Sequence, residues 1–553
     1  MRFLLASLLV LSACDGEVFG GLLGSGRPDD PALPPPLPVE TPGPSSRVPR
    51  LNHAEYENTV TDFLRLPAKP NLASTFVTDS TGSTFDTNGG LLSVDSTSWA
   101  DYQRAAEQLA VTATQDQAAL ARTFGGTVPQ GLEAQVRELA RRAYRRPPTD
   151  AEVSALVTLG NRAATLSPTV PPALGGPRLV LEALLQSPHF LYRPELSDAV
   201  EKRVMPLSGH ELANRLSYAL WHTMPDDALF AAAASGELST KEGVATQARR
   251  MLRDPRAQDT VASFHDQLLQ LQKVFDVTRN TTLFPEFSTA LRQSMAAEQR
   301  TFVRHVIFDQ SQGLSTLLTA PYTFGDANVA RVYGRAGVTG TTPMRLEFTD
   351  GRRGGLFTQL AFLTTNATST ETDPIHRGTF LNFRILCTGL PPPPNNVPPL
   401  PGEDPTMRRT MRDRIESFTG RGTCGEGCHS TFINPLGFAF EHYDALGRWR
   451  EQDKGLPIDD SGEFLFDFSS DTKTRFEGGV ALSREIAASQ LAHGCYVEHW
   501  LEYLYGRPMA ESERPLMERL GSLSRLDDVP VLRLVEELLV SDAFRARPVE
   551  VQP

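Results

Sequence analysis

The sequence contains little that would identify a nucleic-acid-binding protein or a common hydrolase. Its 54 lysines and arginines are outnumbered by 66 aspartates and glutamates, and the net charge of −12 is spread along the chain without a long basic run. There is no G-x-S-x-G nucleophile motif, no Walker loop and no H-E-x-x-H helix. Nucleic acid is therefore not an expected partner, and the many carboxylates form no pair to which acid and base roles can be assigned.

Long apolar runs are also missing, and the one at the amino terminus is too short to span a bilayer. Residues 1–13 combine Arg2 with an apolar stretch and end in Leu-Ser-Ala before Cys14, which is typical of a bacterial lipoprotein signal peptide. We expect lipidation at Cys14 and a Pro/Gly-rich tether over residues 14–49. The predicted location is the cell envelope, on the periplasmic or outer surface, with the membrane contacted through the lipid.

Only five cysteines are present, and two of them lie in the most informative motif, Cys424-Gly-Glu-Gly-Cys428-His429. Two thiols followed directly by an imidazole are typical of covalent c-type haem attachment, with the histidine as the proximal iron ligand. The usual spacing is C-x-x-C-H, so this motif has one additional residue. Gly425 and Gly427 lack a Cβ, and we expect them to loop the extra residue out with positive φ.

The remaining thiols, Cys387 and Cys495, are predicted to form a disulfide in an oxidising compartment, with two isolated buried thiols as the alternative. A Cys424–Cys428 disulfide is the main alternative to haem, because the glycines permit a tight loop. Zinc is disfavoured, since the motif offers three ligands and the adjacent Cys428 and His429 are poorly placed to share one tetrahedron.

Most of the mature chain is predicted to be helical, with little β-structure. Capping boxes start helices at Thr149, Ser208 and Ser239, and the best strand candidate is 462–468. The segment around Tyr144 resembles that around Tyr505, since each has Tyr-x-Arg-Pro, an acidic helix start and a later Ser-x-x-Phe turn. This similarity favours a duplicated helical hairpin on either side of the middle of the protein.

Several motifs resemble, in order, the multi-module envelope proteins of planctomycetes and myxobacteria that are built from domains of unknown function 1587, 1595, 1592, 1588 and 1585. They include residues 50–60, 143–147, 212–221, 374–378, 434–449, 505–508 and 541–545. With this resemblance the predicted modules are a first helical module at 50–125, a second at 126–195, a large helical module at 203–335, a haem-motif module at 351–452 and a C-terminal helical module at 480–548.

In that family the fourth module usually carries C-x-x-C-H just before an Asn/Asp-Pro-Leu-Gly-Phe element, in a segment similar to class I cytochrome c. The resemblance implies a mainly α, multi-module protein with one haem c on Cys424, Cys428 and His429, and a cytochrome c-like C-terminal segment. The implied function is electron transfer with an unidentified redox partner protein, or haem-dependent oxidoreductase activity if the protein is an enzyme. The alternative is a non-redox envelope scaffold or interaction protein with a structural Cys424–Cys428 disulfide.

Other residues near the motif are candidates to complete a haem site, although each is also compatible with ordinary core or surface. The candidate walls are Phe432, Phe438, Phe440, Tyr443 and Trp449, the candidate propionate partners are Arg448 and Arg450, and the candidate sixth ligands are Met407, Met411, Met509, His376 and His442.

Overall fold

Helices dominate the protein, as the sequence predicts. The computed structural model describes residues 42–79, 82–201, 204–390, 407–423 and 425–549. Helices make up 57% of the structure and strands 7%, which confirms the mainly α class. Cys14, Cys424, most of the tether and the proline-rich run at 391–406 lie outside the described residues. None of the described helices has the length and apolar character needed to cross a membrane.

The amino-terminal third forms most of one helical core, centred on buried aromatic rings such as Tyr56, Tyr102 and Phe190. Burial of such rings removes large apolar areas from water and is the main source of stability here. Its helices are α1 His53–Phe63, α2 Ser96–Ala113, α3 Gln117–Thr123, α4 Leu132–Tyr144, α5 Asp150–Gly160, α6 Ala163–Leu166, α7 Pro172–Leu185 and α8 Pro188–Leu191.

The middle of the chain contributes to a second, larger core that extends to the carboxyl-terminal helices. Its elements are β1 Val204–Pro206, α9 Gly209–Trp221, α10 Asp227–Ser235, α11 Lys241–Leu252, α12 Arg256–Leu268, α13 Lys273–Asp276, α14 Thr289–Arg304, α15 Leu314–Thr319, β2 Tyr322–Gly325, α16 Ala327–Val332 and β3 Met344–Glu347. The stretch His305–Asp309, directly after α14, is π-helical.

The remaining elements surround the cysteine motif and complete the large core. They are α17 Leu360–Thr365, α18 Pro374–Phe380, α19 Met411–Thr419, α20 Asn434–Phe438, β4 Gln452–Asp453, β5 Leu456–Pro457, β6 Ser461–Phe464, β7 Thr474–Glu477, α21 Gly478–Ala488, α22 Gln490–Tyr505, α23 Arg514–Asp527, α24 Val531–Val540, α25 Asp542–Arg545 and β8 Ala546–Pro548. The strands pair antiparallel as β1–β8, β2–β3, β4–β5 and β6–β7. Strand β6 occupies the first part of the strand predicted at 462–468.

Two of the three predicted capping boxes are present, at Thr149 before α5 and at Ser208 before α9. The third prediction is wrong by one residue, because the N-cap of α11 is Thr240, which accepts a hydrogen bond from the Gly243 amide. The Ser239 hydroxyl instead donates to the Gly236 carbonyl at 2.7 Å, inside a 3₁₀ turn. Local competition of this kind between a hydroxyl and nearby backbone groups decides helix starts.

The sequence repeat corresponds to a repeated structure. Helices α4 and α22 both end in tyrosine, and the next residue has positive φ in each case. The following arginine forms a two-pronged ion pair with a glutamate six positions later, Arg146 with Glu152 and Arg507 with Glu513. The two hairpins are therefore held by the same charged contact.

The repeat also extends further than the sequence predicts. Helices α1 and α9 both begin with a capping box, closed by Glu55 in α1 and by Glu211 in α9. The backbone just before α1 pairs antiparallel with the segment after α8, and β1, just before α9, pairs with β8 after α25. We call these two units repeat A (α1 with α4–α8 and the residues to 195) and repeat B (β1, α9 and α22–β8).

Candidate functional site

The described part of the cysteine motif forms a π-helix over Glu426–Ile433, which contains both Cys428 and His429. The His429 amide donates to the Gly425 carbonyl at 2.8 Å, so the turn closes directly at the motif. Gly425 has φ −83°, and Gly427 is not among the residues with positive φ. The predicted left-handed glycine loop is therefore wrong. The π-helix begins at Glu426, inside the motif, and a π turn includes more residues than an α turn.

The His429 imidazole is held by a directed chain of hydrogen bonds. The Thr419 hydroxyl donates to the Ile415 carbonyl at 2.9 Å and accepts from Asn434 Nδ2 at 3.1 Å. This arrangement turns Asn434 Oδ1 towards His429 Nδ1, at 3.3 Å. Because an amide oxygen only accepts, Nδ1 must carry the proton, so the neutral ring has its lone pair on Nε2. Nε2 has no hydrogen-bond partner among the described residues.

Cys428 is a free, half-buried thiol. It stands next to the oriented imidazole of His429, so one sulfur and one nitrogen donor are available side by side. The other predicted attachment residue, Cys424, lies outside the described residues. The structure thus describes two of the three predicted haem-binding side chains.

The Pro374–Phe380 and Asn434–Phe438 motifs pack directly on each other as helices α18 and α20. A Cβ placed on Gly437 would lie 1.9 Å from the Pro374 carbonyl oxygen, and one on Gly378 would lie 2.0 Å from the Ile433 carbonyl oxygen. These positions accept only glycine, since the two backbones touch. The contact fixes the end of the π-helix, and with it the position of Asn434.

Arg377, between these two motifs, is fully buried and donates to backbone carbonyls of the loop after α20, including that of Phe440 at 2.8 Å. Burial lowers the pKa of Arg377 to about 10. Burial likewise raises the pKa of the nearby Glu441 carboxyl, which forms an ion pair with Arg450. This charged network is structural, because all of its members are already paired within the protein.

The aromatic residues proposed as haem walls mostly belong to the protein's own core. Phe438 packs with Met411 in a small cluster, and Phe440 and Tyr443 are buried in the large core. Phe432 and Trp449 are partly buried against that same core. Ordinary core packing therefore accounts for these side chains.

The two arginines proposed as propionate partners already bind carboxylates. Arg448 donates to Asp444 at 2.7 Å and to Glu286 at 3.1 Å. Arg450 donates to Glu441 and to Asp453. Both guanidinium groups are therefore occupied within the protein.

The candidate sixth ligands are scattered. The His442 ring stacks on an indole with centroids 4.6 Å apart, and its Nδ1 lies 2.7 Å from a backbone carbonyl. His376 is exposed and hydrogen-bonded to the aspartate that caps α18. Met411 is buried, Met407 is exposed and Met509 packs against the large core. The structure therefore singles out no sixth ligand.

The structure contains the Cys387–Cys495 disulfide, between residues 108 positions apart in sequence. His499 lies beside it, with Nε2 at 3.7 Å from Cys387 Sγ and 3.5 Å from Cys495 Sγ. These three residues also form a cluster in which donor atoms lie within 4.8 Å of one another. Because both sulfurs are in the disulfide, they are not available as thiolate ligands.

Five family models match the chain in succession, and each is described as a protein of unknown function. They are DUF1587 at residues 49–115, DUF1595 at 131–195, DUF1592 at 207–334, DUF1588 at 353–453 and DUF1585 at 472–544. The chain therefore contains all five domains. The comparison with curated proteins and with solved structures found no significant match.

The domain ranges explain how the site is assembled. The π-helix and α20 lie in DUF1588, and the disulfide joins DUF1588 to DUF1585. The duplicated hairpins are DUF1595 and DUF1585, and the duplicated first helices begin DUF1587 and DUF1592. Sequence reasoning recognised the Asn434 motif but missed that its amide orients His429. The available signal was the spacing of five residues from the histidine to the asparagine.

Proposed function

We propose that this protein is a lipid-anchored cell-envelope protein that carries one c-type haem on Cys424, Cys428 and His429 and exchanges electrons with a redox partner protein. When bound, the haem would supply one-electron redox chemistry. The residues of the chain would attach it, orient its proximal ligand and connect the site to the helical modules. Lipidation at Cys14 would keep the protein at the membrane.

The orientation of His429 carries this proposal. A metal-binding histidine needs a lone pair on the ligating nitrogen, and proteins secure this by giving the other ring nitrogen an acceptor. Asn434 supplies that acceptor to Nδ1, and Thr419 keeps the Asn434 amide from turning over. The arrangement leaves Nε2 as the donor that c-type haem uses.

The π-helix also supports haem attachment despite the unusual spacing. Residues Glu426–Ile433 wind more widely than an α-helix, so a four-residue step covers a smaller rotation about the axis. Cys428 and His429 lie within this π-helix, and a wider turn suits a motif that has one residue more than C-x-x-C-H. Short π-helical segments occur frequently at functional sites.

The chemistry of the donor set fits a c-type haem, since a free thiol stands beside an imidazole with a free Nε2. The aromatic residues and arginines expected around the ring are instead engaged within the protein. We therefore assign haem binding to the cysteine motif and Asn434 alone. The competing function is a scaffold with a structural Cys424–Cys428 disulfide.

The test is production of the full chain together with a cytochrome c maturation system, followed by a pyridine haemochrome spectrum of the denatured protein. We expect one covalently bound haem per chain. A Cys424→Ala/Cys428→Ala variant should lose it, whereas Cys387→Ser/Cys495→Ser should keep it because that disulfide is separate from the motif. Properly matured protein without covalent haem would refute the proposal, and a mapped Cys424–Cys428 disulfide would establish the scaffold alternative.

The role of Asn434 can be separated from that of the cysteines. Asn434→Leu removes the acceptor for His429 Nδ1, whereas Asn434→Asp retains one. We expect the leucine variant to keep the covalent haem but to show a changed reduction potential and weaker ligation by His429, because the ring is no longer held in one tautomer. The aspartate variant should retain strong ligation. Identical spectra and potentials in both variants would contradict the proposed tautomer control.

A further inference from the structure

A cavity of about 420 Å³ lies where repeat A and repeat B meet. Its volume falls in the usual range for small-molecule sites, and interfaces between domains are a common location for such sites. We call it the inter-repeat cavity. Its lining includes the charged residues Arg193, Glu195, Glu211, Arg215 and Arg507, and also Asn214.

Arg193 has no hydrogen-bond partner for its guanidinium among the described residues. Its side chain is only 15% exposed, and its Nε is buried without a partner. Glu55 balances the charge, but the closest approach, from Nη1 to Oε1, is 3.7 Å. A guanidinium offers five donors, and leaving them unused in a buried position is costly. An acceptor group in the inter-repeat cavity would remove this cost.

Asn214 is the second such residue in the cavity wall. It is 6% exposed, and its Oδ1 is buried without a hydrogen-bond partner in the described structure. Its counterpart in repeat A, Asn58, lies three positions after the capping glutamate just as Asn214 does. Asn58 Nδ2 donates to the His222 carbonyl at 3.1 Å. The side-chain amide at this helix position therefore bonds a backbone carbonyl in repeat A and makes no such bond in repeat B.

The counterpart of Arg193 shows the same contrast. Arg193-Pro194 in repeat A corresponds to Arg547-Pro548 in repeat B, since each pair follows a Ser-x-x-Phe turn by the same number of residues. Arg547 is 2% exposed and donates to the Ser197 carbonyl. Arg193 and Asn214 thus lack the side-chain hydrogen bonds to backbone carbonyls that Arg547 and Asn58 make, and both line the inter-repeat cavity.

The charged groups of the wall are mostly paired within the protein. The three lining arginines and two lining glutamates have a formal charge of +1, which Glu513, the partner of Arg507, and Glu55, beside Arg193, offset. Glu195 is bound by Arg215 through both oxygens. The other glutamate, Glu211, accepts from backbone amides and hydroxyls around the start of α9. Both carboxylates are therefore already satisfied, and the unused groups are the Arg193 guanidinium, a donor, and the Asn214 Oδ1, an acceptor.

We propose that the inter-repeat cavity binds a small hydroxy acid, with the carboxylate on the Arg193 guanidinium and a hydroxyl group on the Asn214 amide. Arginine suits this role because its planar fork matches a carboxylate, and the asparagine amide can both donate to and accept from a hydroxyl. The site is separate from the cysteine motif in DUF1588, so it does not depend on the haem proposal.

Calorimetric titration of the full chain tests the assignment. The probes are sodium D-glucuronate and sodium L-lactate, with D-glucose as the uncharged match of glucuronate and inorganic phosphate as a different oxyanion. We expect at least one of the two acids to bind and glucose not to bind. Arg193→Gln should weaken acid binding at least about tenfold, as expected for loss of a charge-assisted hydrogen bond. Arg345→Gln, a change at an exposed arginine on β3, should leave binding unchanged.

Three outcomes would overturn the proposal. The first is that neither acid binds at about 10 mM, ten times the millimolar Kd of weak ligands. The second is that glucose or phosphate binds as tightly as the acids, and the third is that Arg193→Gln binds the acids as tightly as the wild type does.

Paired asparagine variants separate binding from folding. Asn214→Leu should lose hydroxy-acid affinity without lowering Tm, because its amide makes no hydrogen bond within the described structure. Asn58→Leu should lower Tm, because it leaves the His222 carbonyl without its donor. A Tm loss for Asn214→Leu as large as that for Asn58→Leu would show that Asn214 is structural and would overturn its role in the site.

Discussion

Glu298 allows a quantitative test of how burial of a carboxyl group changes the stability of the protein with pH. It lies on α14 and is fully buried, and its Oε1 accepts hydrogen bonds from Tyr333 at 2.5 Å and from Thr323 at 2.9 Å. Its Oε2 is buried without a partner in the described structure. Burial raises the pKa of this carboxyl to about 7. Burial and the Glu298 charge also raise the pKa of Tyr333, so its hydroxyl remains a donor.

The pH dependence follows from linkage. The carboxyl has a pKa of 4.5 when unperturbed and about 7 in the folded protein, a difference equivalent to about 3 kcal/mol. Between these values the folded state binds more protons than the unfolded state. The contribution of Glu298 is therefore fully present below about pH 4.5 and is lost as the pH rises through about 7.

Glu298→Gln should abolish this loss, because a glutamine has similar shape and no charge. We expect the variant to be more stable than the wild type by up to about 3 kcal/mol at pH 8, and to differ little from it at pH 4.5. Urea unfolding at both pH values, followed by circular dichroism, measures the difference. Glu347→Gln, at an exposed position on β3, is the matched control and should show no such pH dependence. A Glu298→Gln effect of equal size at both pH values would refute the burial argument.

Two further predictions concern the large core. Burial lowers the pKa of His265 to about 4, and its ring bonds the Val261 carbonyl and Tyr496 hydroxyl, so its contribution to stability is lost as pH falls from about 6.5 to 4. The free energy of unfolding, measured as a function of pH, should fall about 3 kcal/mol less in His265→Gln than in the wild type over that range. Parallel curves for the two proteins would contradict this. Replacing Cys387 by serine removes the Cys387–Cys495 disulfide and so opens a loop of 108 residues. The free energy of unfolding in urea should fall by roughly 4–5 kcal/mol. An unchanged midpoint would show that the disulfide adds no stability.

Local signals in the sequence were enough to predict the helical class and several of the positions at which helices begin. Capping boxes at Thr149 and Ser208 depend on atoms three residues apart, so short windows contain the necessary information. The same windows failed at Ser239, where a neighbouring hydroxyl, Thr240, competed for the cap. They also failed at Gly425, because π-helical winding depends on how a helix packs against its neighbours.

The sequence by itself determined the order of the five modules, the duplicated hairpin and the presence of two nearby thiols and an imidazole in one motif. Tertiary structure decided which hydrogen bonds those groups make, since partners such as Thr419 and Asn434 lie fifteen residues apart and meet only when α19 and α20 pack together. It likewise decided that the Asn58 side chain donates to the His222 carbonyl, whereas the Asn214 side-chain oxygen has no partner in the described structure. Equivalent residues in a repeat receive different neighbours once the two copies face each other.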